Sequence, residues 1–150
     1  MATGLEEYAK KIEELCKKQA VVGWFPDSAY PNGETVASVA LKQEFGDGKR
    51  IPPRPFIRPT IASEKGTWGK IVGKLVDDTG FSANDVFESI GLKMVGDIRK
   101  TAGLVTSPPL AAYTIAKRNE RGNSNEQPLN DTGYMLASLT NTVKNKDELA

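Results

Sequence analysis

The chain has 150 residues, of which 39% are hydrophobic and 26% are charged, and its formal net charge is +1. These values are typical of one globular domain and exclude a disordered or fibrous chain; the net charge argues against a dedicated nucleic-acid binder with a dominant basic field. The sequence has no histidine and a single cysteine, Cys16, which excludes Ser-His and Cys-His nucleophile pairs, histidine-bearing zinc sites and an internal disulfide. We expect a reducing cytoplasm as the place of synthesis. No apolar run reaches membrane-spanning length, so we expect no membrane contact and no signal peptide.

Residues 4–19 predict an amphipathic helix. Thr3 and Glu6 have the spacing of a capping box, which would satisfy free amides at the helix start. Apolar residues recur at helical spacing and form one stripe: Leu5, Tyr8, Ile12, Leu15 and Cys16. Acid–lysine pairs four residues apart occupy the other face, which is typical of a solvated surface. We expect the Cys16 side chain to be buried as a small hydrophobe.

Two segments predict the strands of a small antiparallel sheet, and the fold class is therefore α+β. Residues 19–25 are rich in β-branched and aromatic side chains and end at Pro26, and residues 139–143 alternate in polarity. Residues 36–45 fit either a strand or a short helix. Thr35 as a cap and Gly46 as a terminator favour the helix.

A rigid segment follows this helix. We call residues 51–59 (IPPRPFIRP) the proline ribbon; its four prolines fix φ and remove backbone donors, so it suits neither a helix nor an interior strand. Its apolar side chains favour burial, whereas Arg54 and Arg58 favour anionic or carbonyl partners. The pattern predicts a stiff, extended docking arm that packs on the chain's own core or on a neighbouring subunit.

Two longer helices are predicted next, at residues 59–79 and 82–102, and the short link between them indicates an antiparallel hairpin. Ser82 is placed to cap the second helix. Glycines in the first helix predict a close approach by another backbone: Gly66, Gly69 and Gly73.

The last third of the chain is more irregular. Ser107-Pro108-Pro109 is predicted to open a short helix that continues through Lys117. Residues 118–127 contain no apolar side chain, which predicts a flexible surface loop. We expect Asp131 or Thr132 to cap a short helical turn and Gly133 to keep its entrance compact. Residues 144–150 are expected to fray.

Two separated motifs carry a resemblance to a known family. The first is the tripeptide Glu44-Phe45-Gly46, followed by a short polar loop and PPRPFIRP. The second is QPLNDTGYMLASL at residues 127–139, which is similar to a "PL-DTG-ML-SL" ending. In this order, the motifs resemble those of the tail-completion or neck proteins of tailed bacteriophages. With weaker similarity between them, the resemblance covers most of residues 20–143.

The resemblance implies a structural virion protein rather than an enzyme. It implies one domain over residues 1–150 with a helix at 36–45, and a homo-oligomeric ring of sixfold or twelvefold order at the head–tail junction. Expected partners are other copies of the chain, other neck, connector and tail proteins, and non-specific DNA passing through the lumen. The protein would be made in the bacterial host cytoplasm and located in the virion, without cofactor, metal or small-molecule substrate.

The motif residues and two arginines of the polar loop are the expected subunit-docking residues: Phe45, Gly46, Pro53, Arg54, Pro55, Phe56, Arg58, Arg118 and Arg121. Arginine suits bidentate contacts at interfaces, and a closed set of heterologous contacts builds a ring.

A DNA-binding accessory protein of a phage or mobile element is the alternative. Its phosphate contacts would come from Lys49, Arg50, Arg54, Arg58, Lys117, Arg118 and Arg121, with Phe56 or Trp68 stacking on bases. The aromatic residues fall at core spacing, which favours arginine–carboxylate pairing instead. A hydrolase with a cation held by Asp77, Asp78 and Asp85 is a more distant alternative, because Asp85 lies at a helix start. Gly66-x-x-Gly69-Lys70 lacks most of a phosphate-binding loop.

Overall fold

The computed structural model describes residues 3–77 and 80–148. That part of the chain is a mixed α+β fold with six α-helices and a two-stranded antiparallel sheet that packs against α4 and α1. The elements are α1 (Gly4–Lys17), β1 (Lys18–Gly23), α2 (Val36–Phe45), α3 (Ile57–Asp77), α4 (Ala83–Leu104), α5 (Ala112–Glu120), α6 (Tyr134–Ser138) and β2 (Thr140–Asn145), followed by a 3₁₀ turn (Lys146–Glu148). None of the helices described is long and apolar enough to cross a membrane.

The chain divides into two compact units. The first comprises Met1–Gly23, Glu64–Gly96 and Thr140–Ala150, and the second comprises Trp24–Ser63 and Asp97–Leu139.

The sheet belongs to the first unit. Lys18 pairs with Asn145 at one end of the ladder and Gly23 pairs with Thr140 at the other. A Cβ atom on Gly91 of α4 would lie 2.7 Å from Nδ2 of Asn141 on β2, so glycine permits the helix and the strand to approach this closely. The buried apolar side chains of this unit include Trp68, Phe81, Val86, Ile90 and Val95.

The second unit is built around the proline ribbon and the second motif. The Phe56 side chain is fully buried, and the Trp24 ring meets it edge-on with 6.2 Å between ring centroids. Nε1 of Trp24 donates a hydrogen bond to the Met135 carbonyl oxygen at 2.7 Å. Other buried side chains are Val36, Ala40, Ile98, Ala102, Leu129 and Leu139. The expected burial of Phe56 is therefore confirmed.

Three predicted helix starts are confirmed by their capping bonds. Thr3 and Glu6 form the capping box of α1, and the Thr35 side chain accepts from the Ser38 amide at 3.3 Å. The Ser82 hydroxyl accepts from the Asp85 amide at 3.1 Å. These contacts are local in sequence, which explains why residue spacing alone was sufficient to predict the three helix starts.

Several boundaries differ from the prediction. β1 ends at Gly23 and β2 continues to Asn145, because pairing with Lys18 extends the ladder beyond the predicted strand. Lys144 and Asn145 are thus in a strand and 146–148 form a 3₁₀ turn, although we expected fraying there; residues 149 and 150 lie outside the described residues. α5 continues to Glu120, into the segment predicted as loop. The α3–α4 link includes residues 78 and 79, also outside the described residues, so the hairpin stays a prediction.

Two packing expectations were wrong. A Cβ atom added to Gly66, Gly69 or Gly73 would meet nothing within 4 Å, so no backbone approaches these glycines within the described part of the chain. Cys16 is exposed rather than buried, because α1 has no buried residue at all.

Candidate subunit-docking site

Glu44, at the end of α2, is the buried anchor of the first motif. Its side chain is 3% exposed. Oε2 accepts from the amides of Phe56 and Ile57 at 2.7 and 3.0 Å, and Oε1 accepts from the Arg58 amide at 3.0 Å. These amides belong to the start of α3 and have no partner within that helix. Glu44 therefore caps α3 from a different helix, which explains why α3 begins two residues before Pro59.

The carboxylate of Glu44 is stabilised in its charged form. Burial alone would raise its pKa, but the three amides and the Arg58 guanidinium together hold the pKa below the usual value. Nε of Arg58 donates to Oε1 at 2.9 Å and completes the set. The ionised carboxylate is thus a built-in part of the fold at neutral pH.

Gly46 and Asp47 shape the turn into the proline ribbon. Gly46 has a φ of 75°, and a Cβ atom there would lie 2.8 Å from the Ile51 carbonyl oxygen, so only glycine fits. Oδ1 of Asp47 accepts from the amides of Lys49, Arg50 and Ile51 at 2.8–2.9 Å. These amides lower the pKa of Asp47 to about 2. The polar loop of the motif is consequently a closed, hydrogen-bonded turn.

Arg54 is directed into its own chain. It is 5% exposed; Nε donates to the Pro108 carbonyl oxygen at 2.6 Å and Nη2 donates to that of Pro109 at 2.9 Å. Burial lowers the pKa of Arg54, and the charge of Arg118 lowers it further. Arg54 and Phe56, predicted as docking residues, are thus occupied within the chain, whereas Pro53 and Pro55 are exposed.

Exposed side chains lie next to the buried Glu44 and its partners at the junction of α2 and α3. The Phe45 ring is 55% exposed, and the Arg58 guanidinium carbon lies 4.3 Å from its centroid. Leu41, one turn earlier on α2, is 60% exposed, and Ile61, three residues after Arg58 on α3, is 45% exposed. Residues three or four apart share a helix face. We call these four residues (Leu41, Phe45, Arg58 and Ile61) the α2–α3 patch.

Arg118 organises the loop that follows α5. It is 4% exposed, and its Nη1 donates to the carbonyl oxygens of Asn125 and Gln127 at 2.7 and 2.9 Å. Its Nε lies 3.4 Å from Oδ1 of Asp131, close enough for an ion pair but without hydrogen-bond geometry. Arg118 therefore holds the loop from inside. Whether residues 118–127 are mobile stays a prediction.

Of the two residues that we expected to cap the turn, Asp131 is bound elsewhere, whereas Thr132 accepts from the first amide of α6. Its carboxylate accepts from Nη2 of Arg121 at 3.0 and 3.1 Å and from Nδ2 of Asn123 at 2.9 Å. The residue before α6 is Gly133, with a φ of 81° and no side chain to act as a cap. The Thr132 hydroxyl accepts from the Tyr134 amide at 3.3 Å. The Asp131 carboxylate pairs with Arg121 and is therefore not available for the capping role that the sequence pattern had suggested.

Most of the cationic side chains proposed for DNA contact already have a partner within the chain. Four of them have a carboxylate partner: Arg58 with Glu44, Arg118 and Arg121 with Asp131, and Lys117 with Glu120. Arg54 is bound to carbonyl oxygens. Lys49 and Arg50 remain on the exposed loop. This distribution fits intrachain pairing better than a phosphate-binding face.

The acidic alternative gains no support from the geometry. No group of three or more potential metal ligands occurs in the part of the chain that the structure describes. Asp78 lies outside that part.

Sequence reasoning missed three elements of the site: the buried role of Glu44, the loop-closing role of Asp47 and the Pro108 and Pro109 carbonyl acceptors. An acid at the C-terminal end of a helix is unfavourable there, which was a usable indication that Glu44 serves another helix. The acceptors of Arg54 lie more than fifty residues away in sequence, and no local pattern shows them.

Comparison of the chain with protein-family models, with curated proteins and with solved structures found no match.

Proposed function

We propose that this protein is a structural virion protein of the tail-completion or neck type, which forms a ring at the head–tail junction of a tailed phage. In this proposal it contacts further copies of itself and the adjoining neck, connector and tail proteins. It is made in the bacterial host cytoplasm, acts in the virion and has no catalytic role. The proposal starts from the resemblance of its two motifs.

One observation carries the proposal beyond the motifs. Glu44 binds the amides of residues 56–58 and the side chain of Arg58, so the EFG tripeptide and the proline ribbon form one physical unit. Because the residues of this motif hold one another in place by hydrogen bonds, the motif supports a structural role more than a catalytic one. The same frame places Phe45 and Arg58 at the surface.

The α2–α3 patch has the properties of an interface centre. Aromatic and arginine side chains are enriched in such centres, and residues held rigid before binding lose little entropy on association. The carboxylate of Glu44 and the ring of Phe45 fix Arg58 from two sides. We infer that this patch, rather than the buried Arg54 and Phe56, meets a neighbouring subunit.

The finer architecture belongs to the same proposal. α3 and α4 would form the antiparallel hairpin, which is supported by the cleft in the first unit that residues of both helices line, Trp68 and Ile90 among them. The proline ribbon would serve as the docking arm through its exposed residues.

Assembly measurements test the proposal. Light scattering and negative-stain imaging over a concentration series should show closed rings for the native chain. Phe45→Ala should stay folded and lose rings, whereas Leu104→Ala, which removes an even more exposed apolar side chain (72% against 55%), should not affect them. If Phe45→Ala still forms rings, the patch is not part of the interface. Absence of rings together with salt-dependent retention of DNA would favour the DNA-binding alternative.

A further inference from the structure

Helix α1 presents a fixed but unpacked end. The Thr3 hydroxyl accepts from the Glu6 amide at 3.2 Å, and Glu6 accepts from the Thr3 amide at 2.9 Å, so the first turn is closed. Leu5, within that turn, is nevertheless 78% exposed. A helix of this length gains most of its stability from packing its apolar face. The exposed Leu5 is therefore surface that a partner would cover favourably.

A cleft of about 590 Å³ opens in the same unit. Its apolar wall is formed by Leu15, Trp68, Val72, Phe87, Ile90 and Met94. Clefts of this volume and composition are the usual sites for apolar groups.

The charges around the cleft indicate what it accepts. Lysines at positions 18, 65 and 146 line it, and no carboxylate does so within the described residues. The first turn of α1 has the opposite charge, because Glu6 and Glu7 directly follow Leu5. A helix end that carries an exposed apolar side chain and two carboxylates matches an apolar cleft edged by lysines.

We propose that the N-terminal end of α1 of one copy docks into the lysine-lined cleft of a second copy, with Leu5 against the apolar wall and the acidic first turn at the rim that bears the lysines. The two surfaces differ, so the contact is heterologous and repeats from copy to copy until it closes. This inference names one interface of the ring and rests on the function proposed above.

The single cysteine offers a direct test, because Cys16 is exposed and lines the cleft. Positions 5 and 16 lie within the one helix Gly4–Lys17, about 16 Å apart along its axis. A disulfide requires Cα atoms within about 7 Å. A cysteine introduced by Leu5→Cys can therefore reach Cys16 only in another copy.

Oxidation of Leu5→Cys at assembly concentrations should give a ladder of covalent oligomers, with peptides that join position 5 to Cys16. Lys10→Cys, a control from the polar face of α1, should give less than a tenth of that yield. In Leu5→Cys combined with Cys16→Ser, the ladder should disappear. Dimers that join two copies of position 5 at undiminished yield, or equal cross-linking by Lys10→Cys, would overturn the inference.

Charge exchange gives an independent measurement. Glu7→Lys alone and Lys65→Glu with Lys146→Glu should each weaken association at least tenfold, and combining them in one chain should restore it. Glu14→Lys, the same change near the other end of α1, should have no effect.

Rings without a position-5 cross-link would overturn this contact and leave the proposed function standing. Uptake of dodecanoate in native mass spectrometry without that cross-link would assign the cleft to a small amphipathic acid. Failure of the native chain to assemble would overturn both.

Discussion

The side chain of Arg58 is joined to Glu44 by two hydrogen bonds across the junction of α2 and α3. Nε of Arg58 donates to Oε1 of Glu44 at 2.9 Å, and Nη2 donates to the Glu44 carbonyl oxygen at 3.2 Å. The same guanidinium stacks on the exposed ring of Phe45. One side chain thus connects a buried carboxylate to the surface, so the shape of the α2–α3 patch depends on an anchor that is itself buried.

Removal of the anchor should destabilise the protein. Glu44→Ala leaves the buried Phe56 amide without an acceptor, and one unsatisfied buried donor costs about 1–3 kcal/mol. Urea denaturation should show at least this loss in the free energy of unfolding. Glu44→Gln keeps an acceptor oxygen and should lose less.

Glu120→Ala is the matched control, because its carboxylate pairs with Lys117 at the surface. Exposed pairs contribute about 0–1 kcal/mol. If Glu44→Ala unfolded at the same urea concentration as this control, the anchor role of Glu44 would be wrong.

Acid should weaken the turn before the proline ribbon. The amides of residues 49–51 lower the pKa of Asp47 from 3.8 to about 2. In that pH window the unfolded chain binds more protons than the folded chain, so the stabilisation is present above pH 3.8 and is lost as the pH falls towards 2. The lowered pKa of Glu44 acts in the same direction, below its own usual value.

Asp47→Asn isolates this contribution. The urea midpoint of the native chain should fall more steeply between pH 4 and pH 2 than that of the variant, since position 47 of the variant carries no group that titrates there (the window follows from the pKa of Asp47). Parallel pH curves for the two proteins would contradict the role of the Asp47 carboxylate.

The features that could be predicted from the sequence were those with local causes. The capping residues Thr3, Thr35 and Ser82 act on amides three residues away, and spacing alone reveals them. The first strand followed from its β-branched and aromatic residues, and the second from its alternating polarity. The proline ribbon was recognised as a rigid segment for the same reason, since proline restricts the backbone locally.

The features that were missed depend on contacts between distant residues. Asp131 fitted a local capping pattern, but Arg121 reaches it across the loop, and an ion pair replaces the cap. The α3 glycines suggested close packing, yet the close contact is at Gly91, where Asn141 of β2 determines the need for glycine. Tertiary context, rather than propensity, decides such positions.

Arg118 should be irreplaceable by lysine. The guanidinium is buried and donates to loop carbonyls, including those of Asn125 and Gln127, in a geometry that a single ammonium group does not reproduce. Charged hydrogen bonds contribute about 1.5–3 kcal/mol, so Arg118→Lys should lower the free energy of unfolding by about that amount.

Hydrogen exchange of residues 121–130 gives the local readout. Exchange should be faster in Arg118→Lys than in the native monomer, while Arg121→Lys, at an exposed position, should change it little. Equally fast exchange in the native chain and in Arg118→Lys would mean that Arg118 does not hold the loop in solution.

Glycine-to-alanine changes should have opposite effects on α3 and α4. At Gly73 a Cβ atom would meet nothing within 4 Å, whereas at Gly91 it would lie 2.7–3.0 Å from three atoms of the Asn141 side chain. In an open helix interior alanine is favoured over glycine by about 1 kcal/mol, so Gly73→Ala should raise the free energy of unfolding by about that amount. Gly91→Ala carries the same helical advantage but forces α4 and β2 apart, and overpacking of this kind costs about 1–3 kcal/mol. Thermal melting of the two variants therefore separates intrinsic helix propensity from tertiary contact.

A lower melting temperature for Gly73→Ala in the monomer would show that something does approach α3 there. A normal melting temperature combined with lost assembly would instead locate a neighbouring subunit against that glycine.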